Sequence, residues 1–163
     1  MKAVEAISPL DGRYQKQVKE LHAYCSEYAL IRYRVQVEIQ WLIALANHSE
    51  IKEVEAFNQP QVESLEKIYL KFTSEQALEV KEIEKRTNHD VKAVEYFIGK
   101  ELEELGLSKL KNMVHFACTS EDINNLSYAL MIKDVLGDVI FPYCSKIIAT
   151  LKEKSEEYRD VAM

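Results

Sequence analysis

From Thr119 to Tyr158 the chain places an apolar residue at nearly every third or fourth position. These are Ile123, Leu126, Leu130, Leu136, Ile140, Tyr143, Ile147, Leu151 and Tyr158. That spacing is the period of one helix face. Only Gly137 and Pro142 interrupt it. Pro142 is expected to kink the helix, because proline lacks the N–H that the helical ladder needs. Thr119 or Ser120 can cap the start, with Glu121 and Asp122 in the first turn, where the helix dipole favours an anion. Nearly forty residues of helix span about 55–60 Å. That is too long for a compact domain of 163 residues. Long striped helices of this kind belong to bundles or coiled coils.

The rest of the chain reads as helix too. With 4 Gly and 3 Pro, it has too few turn residues for a sandwich or barrel. The stretch Cys25 to His48 has neither. Its middle, from Arg32 to Trp41, alternates polar and apolar like a strand. The run continues through Leu42, Ile43, Ala44, Leu45 and Ala46 without a turn, so a helix partly buried all round fits better. A polar break follows at Phe57-Asn58-Gln59-Pro60, and Pro60 suits the first turn of the next helix. Val62, Leu65, Ile68, Tyr69 and Phe72 then recur at helical spacing. Thr73 or Ser74 can cap a further helix to about Lys85. Asn88 is expected to cap the next, with Asp90 in its first turn and Val91, Val94, Phe97, Ile98, Leu102 and Leu105 as its stripe. Gly106 is a natural stop. The fold class is therefore all-α, with no internal repeat and no low-complexity tract.

Composition excludes several functions. Apolar residues make up 47% and charged residues 29%, as in globular proteins rather than disordered ones. The net charge of −6 lacks the basic footprint of a nucleic-acid binder. No run of about 18 apolar residues is available to span a membrane. Cys25, Cys118 and Cys144 are an odd set with no close pair, which suits a reducing cytoplasm. The N-terminal residues lack the apolar core of a secretory leader. There is no Gly-rich phosphate loop, no His-Glu-x-x-His and no Cys-x-x-Cys. His115 and Cys118 lie three apart without a second ligand pair, so neither a metal nor a cofactor is expected.

Three polar segments stand out. In Ser8-Pro9-Leu10-Asp11-Gly12-Arg13-Tyr14, a Pro/Gly turn can present Arg13, whose fork of donors suits phosphate. The residues alone read first as a surface turn. In Arg86-Thr87-Asn88-His89-Asp90-Val91-Lys92, polar groups crowd a helix start, where free N–H groups can hold an anion. A His beside an Asp can serve as acid, base or donor, or the cluster is an ordinary cap. In the third segment, Val114 to Asn125, His115 sits in an apolar run as either a satisfied core residue or a functional one. Thr119 and Ser120 put two hydroxyls at the start of the long helix. They can cap it or help to hold a carboxylate there. His22 and His48 read as surface positions.

Together these segments resemble one family, the adenylosuccinate lyases of the fumarase/aspartase superfamily. Residues 8–14 resemble the family's opening motif. Thr-Asn-His-Asp-Val-Lys-Ala-Val-Glu-Tyr, residues 87–96, resembles its second. His-Phe-Ala-Cys-Thr-Ser-Glu-Asp-Ile-Asn-Asn, residues 115–125, resembles the first shared region of the superfamily. The Ala117-Cys118 pair looks like one bacterial subgroup, where many relatives carry Gly-Leu. The likeness runs over essentially the whole chain.

The resemblance implies a β-elimination in purine and AMP biosynthesis. Adenylosuccinate gives AMP and fumarate, and a succinyl-carboxamide ribotide is cleaved in the same way. It implies that Arg13 and Tyr14 hold the nucleotide phosphate. Asn88, His89 and Asp90 would surround the substrate, with His89 nearest the reacting group and the catalytic candidate. His115 would contact substrate, and Thr119 and Ser120 would bind a carboxylate. The family's general acid lies in a Thr-His-Gly-Gln-type segment and its base serine in a Ser-Ser-x-Met-Pro-x-Lys-x-Asn loop. Neither is in this sequence. The expectation is thus the N-terminal portion of such a lyase, inactive or nearly so alone. Residues 1–112 would form an N-terminal helical domain, and 113–163 the first long helix of a central helical bundle. The family's homotetramer implies self-association through that helix. A non-catalytic helical assembly module and another superfamily lyase are the alternatives.

Overall fold

The computed structural model describes residues 3–162. Met1, Lys2 and Met163 lie outside it, and with them the first residues on which the leader reading rests. Seven α-helices follow one another: α1 (His22–Cys25), α2 (Glu27–Asn47), α3 (Gln59–Leu70), α4 (Ser74–Thr87), α5 (Asp90–Glu104), α6 (Ser120–Val135) and α7 (Phe141–Glu157). Short 3-10 segments cover Ala3–Glu5, Lys19–Leu21 and Ser108–Met113. Among the described residues there is no strand, so the all-α class holds.

Helix α2 is the spine. It packs against α3, α4, α5 and α6, which explains its unclear amphipathic face. Ile31, Val35, Ile39 and Leu42 meet Leu65 and Ile68 of α3, Val80 of α4, and Val94, Phe97 and Leu102 of α5 in one core. Phe72 joins this core, stacked on Tyr28 at 5.9 Å and edge-on to Phe97 at 5.5 Å.

The ends of these helices follow from local chemistry. Asn58 and Thr73 close capping boxes with Gln61 and Gln76, so each side chain satisfies a backbone donor that the first turn leaves free. Pro60 lies in the first turn of α3, as expected. Gly106 takes φ +74° and ends α5. Its N–H reaches Glu103 O, and that of Leu107 reaches Leu102 O, the paired bonds of a Schellman stop.

One expectation is corrected. Asn88 does not begin α5. It closes α4 in the left-handed conformation, φ 51°, and His89 is the N-cap of α5. Asparagine tolerates the left-handed region as well as it caps, so its type alone does not choose. Pro142, expected to kink the long helix, lies just past a change in its hydrogen-bond pattern. A π turn at Leu136–Ile140 joins α6 to α7, and the Phe141 N–H donates to Leu136 O five residues back. The ladder shifts just where the proline has no N–H to give.

Among the described residues, the long helix has buried residues only as far as Val139. Ile123 packs on Val37 of α2 and Val91 of α5. Tyr33 donates to Asp134 at 2.7 Å and Tyr24 to Asp138 at 3.0 Å. Burial, then the Asp134 hydrogen bond, push the Tyr33 hydroxyl up to about 12. Helix α7 contributes no buried residue.

Candidate functional site

The second and third polar segments converge on the middle of α2. Arg34 and Glu38 stand one turn apart there, about 6 Å along the axis. Both are buried, at 4% and 1% exposure. A charge in such surroundings needs partners. Arg34 donates from Nη2 to Asp90 Oδ2 at 2.6 Å and from Nε to Asn124 Oδ1 at 2.9 Å. One guanidinium thus ties the start of α5 to the first turns of α6. Burial alone would raise the Asp90 carboxyl. The Val91 N–H and the Arg34 charge outweigh it and hold the group below the usual range.

Glu38 holds His115. Its Oε1 lies 2.6 Å from His115 Nδ1, and its Oε2 accepts from the His115 backbone N–H at 3.1 Å. Burial pushes the Glu38 carboxyl up, and the hydrogen bond and charge of His115 pull it partly back. His115 takes φ 63° and Ala117 φ 58°, so the segment between the helices runs twice through the left-handed region. Trp41 Nε1–H donates to Phe116 O at 2.8 Å and anchors the same loop on α2.

The two histidines are held in opposite senses. His89 Nδ1 accepts from the Lys92 N–H at 3.2 Å, and Asp90 Oδ1 lies 3.7 Å from that nitrogen. A neutral His89 therefore carries its proton on Nε2, and its side chain is half exposed. His115 directs Nδ1 at a carboxylate, and no hydrogen bond from the described residues reaches its Nε2.

At the start of α6, Thr119 is already engaged. Its N–H and its hydroxyl both donate to Asp122 Oδ2, at 2.7 and 2.8 Å, and its Oγ1 accepts from the Asp122 N–H. The Thr119 N–H and hydroxyl keep the Asp122 carboxyl below its usual range. A carboxylate of the chain itself therefore occupies part of this helix start. The Ser120 hydroxyl makes no hydrogen bond among the described residues and is the one left for a ligand. A groove of about 610 Å³ opens between α2 and α6, lined by Trp41, Cys118, Ile123 and Leu126 among others.

Asp90 and His115 thus meet one side of α2 through Arg34 and Glu38, and Asn88, His89, Thr119 and Ser120 lie within five residues of them along the chain. Arg13 and Tyr14 do not join them by any hydrogen bond or ion pair among the described residues. Arg13 lies over the Tyr14 ring at 4.6 Å, and both are exposed. The segment leads into Lys19–Leu21, beside the far half of the long helix, where Tyr143 donates to Glu20. Tyr143 is about 35 Å along that helix from Thr119. Arg34 and Glu38 are the site residues that sequence reasoning missed. Their signal was two charges, one turn apart, inside a helix buried on most sides. Among the described residues no cluster of three or more His, Cys, Asp or Glu side chains could hold a metal. No helix among them is long and apolar enough to cross a membrane.

Residues 12–163 match the model of the lyase family. The chain belongs to this family. It is 46% identical to adenylosuccinate lyase of Escherichia coli K12, over 100% of this chain and 36% of that protein. Adenylosuccinate lyase of Buchnera aphidicola (subspecies Schizaphis graminum) is 47% identical over 98% of this chain and 35% of its own length. That of Haemophilus influenzae is 44% identical over 100% and 36%. The chain spans about a third of the length of these curated relatives. Within the lyase family match lie the His89 and His115 segments together with Arg34 and Glu38.

Proposed function

We propose that this chain supplies the N-terminal part of an adenylosuccinate lyase in the cytoplasm. The reaction is the β-elimination of adenylosuccinate to AMP and fumarate. Two units make up this part: residues 1–112, a helical domain, and 113–163, the start of a central bundle. The observation that carries the reading is the buried pair Arg34 and Glu38 on α2, which hold the Asp90 and His115 segments. His89 presents an N–H from Nε2, and His115 leaves its Nε2 without a hydrogen bond among the described residues.

In the elimination a base removes a proton from the succinyl Cβ. The electron pair left there spreads into the adjoining carboxylate. The C–N bond then breaks, and the departing nitrogen takes a proton. His89, as an Nε2–H donor, suits a hydrogen bond to the reacting part. Ser120 and the N–H groups opening α6 suit a substrate carboxylate. Asn88, beside them and exposed, is placed to touch the same substrate, whereas Asp90 acts through Arg34. Thr119 shapes the pocket through Asp122 rather than offering its own proton. Arg13 and Tyr14 hold the nucleotide phosphate. Their segment runs on to Glu20, which meets Tyr143 about 35 Å along the long helix from Thr119, and one active site draws them from a second copy. That arrangement fits a homotetramer built through the exposed face of α6 and α7, where Ile147 and Leu151 stay 58% and 64% exposed.

The test is a fumarate-release assay of the purified chain on adenylosuccinate, with AMP titration and Arg13→Ala as control. No turnover and weak AMP binding lost in Arg13→Ala are expected. Turnover lost in Arg13→Ala would show that His89 or His115 performs the proton transfers unaided. AMP affinity that is absent, or unchanged in Arg13→Ala, would refute the nucleotide reading. Light scattering tests assembly, and a monomer at high concentration would count against the tetramer.

A further inference from the structure

His115 directs two donors at one buried carboxylate. Its backbone N–H reaches Glu38 Oε2, and its Nδ1 lies 2.6 Å from Oε1. An ionised carboxylate only accepts, so it takes both bonds when Nδ1 carries the proton. The ring's other nitrogen, Nε2, has no hydrogen bond among the described residues. Among those residues no buried side-chain nitrogen or oxygen lacks a partner. Nε2 therefore reaches solvent, although the side chain is only 16% exposed. The backbone also fixes the ring, because His115 sits at φ 63° and its own N–H is held by the same carboxylate. The ionisable groups facing the pair are Lys92 and Glu95 of α5, Cys118, and Asp122 of α6.

We propose that Glu38 is a positioning residue that holds His115 in the Nδ1–H tautomer, so that Nε2 meets the ligand with a free lone pair as a hydrogen-bond acceptor. The ligand group it takes is an O–H or N–H, such as a ribose hydroxyl or an amine of a nucleotide. This rests on the nucleotide reading given above. His115 and His89 then differ in function, because His89 offers a hydrogen where His115 offers a lone pair.

The carboxylate is essential to this. A glutamine at position 38 can accept only through its one oxygen and donates through its nitrogen. With the oxygen on the His115 backbone N–H, the NH₂ faces Nδ1. Nδ1 must then become an acceptor, and the proton moves to Nε2. Glu38→Gln keeps the shape of the side chain and reverses the chemistry of the exposed nitrogen.

The experiment is nitrogen NMR of the whole chain with ¹⁵N-labelled histidine rings, at neutral pH. Wild type is expected to show His115 protonated at Nδ1, and Glu38→Gln to show it protonated at Nε2. A wild-type ring protonated at Nε2 overturns the proposal even if the variant fails to fold. So does a folded Glu38→Gln that keeps the wild-type tautomer. A merely structural Glu38 would leave the tautomer of the folded variant unchanged. AMP is then titrated into both proteins. A shift of the His115 Nε2 signal in wild type, with affinity about tenfold weaker in Glu38→Gln, supports the ligand contact, since about tenfold corresponds to one ordinary hydrogen bond. AMP that binds while leaving His115 unmoved overturns the ligand contact alone. AMP that fails to bind overturns the nucleotide reading, and the tautomer result still judges Glu38.

Discussion

Helices α5 and α7 have nearly the same length and similar apolar stripes, yet the protein treats them differently. In α5, Val91, Val94, Phe97, Ile98 and Leu102 are wholly buried between α2 and α4. In α7, Tyr143, Ile147, Ile148 and Leu151 are all about half exposed or more, and no residue is buried. Periodicity reports that a segment is a helix with an apolar face. It says nothing of where the covering surface comes from. For α5 that surface lies within the chain, and for α7 it does not lie among the described residues.

The strongest way to break this comparison is to delete one side chain from each helix. Phe97→Ala should cost about 3–5 kcal/mol, because it opens a cavity beside Phe72. Leu151→Ala should stay within about 0.5 kcal/mol in dilute solution. Urea midpoints read both, and equal losses would mean that α7 is covered even when dilute.

A smaller effect tests the polar tie at the start of α5. The Asp90 carboxyl titrates lower in the folded protein than in the unfolded chain, so it stabilises the fold above its unfolded value of about 3.9. That contribution disappears as pH falls through the folded value. Asp90→Asn should therefore cost about 1 kcal/mol at pH 7, a modest figure because the carboxyl is nearly half exposed. The cost should vanish in strong acid. A loss that persists there would show that Arg34 is not responsible.

The smallest effect concerns the turn that leads into α6. Ala117 holds φ 58° with a Cβ, and glycine does so freely. Ala117→Gly should stabilise by about 0.5–1 kcal/mol, after the extra freedom glycine gives the unfolded chain. Thermal melting would show it, and destabilisation would mean that the methyl group packs usefully in the loop.

The fold was largely readable because its signals are local. Asn58 with Gln61, Thr73 with Gln76 and Gly106 each act within a few residues, and the stripes of α3 and α5 need no knowledge of their partners. Asn88 misled because one residue type serves both ends of a helix. The site was half readable. His89, His115 and Ser120 sit in segments whose polarity breaks the apolar pattern. Arg34 and Glu38 were hidden because their meaning depends on partners 56 and 77 residues away. No window along the sequence contains both ends of those bonds.

The π turn at Leu136–Ile140 also determines the direction in which α7 faces. One surplus residue in a turn advances everything beyond it by about 100° around the axis. The face of α6 that lies on α2 is thus not carried on by α7. The long helix becomes two-sided: α6 packs Ile123 on α2 and α5, and α7 leaves Ile147 and Leu151 exposed. Removing one residue from that turn would rotate the outward side by more than a quarter of a circle and leave the inward side where it is.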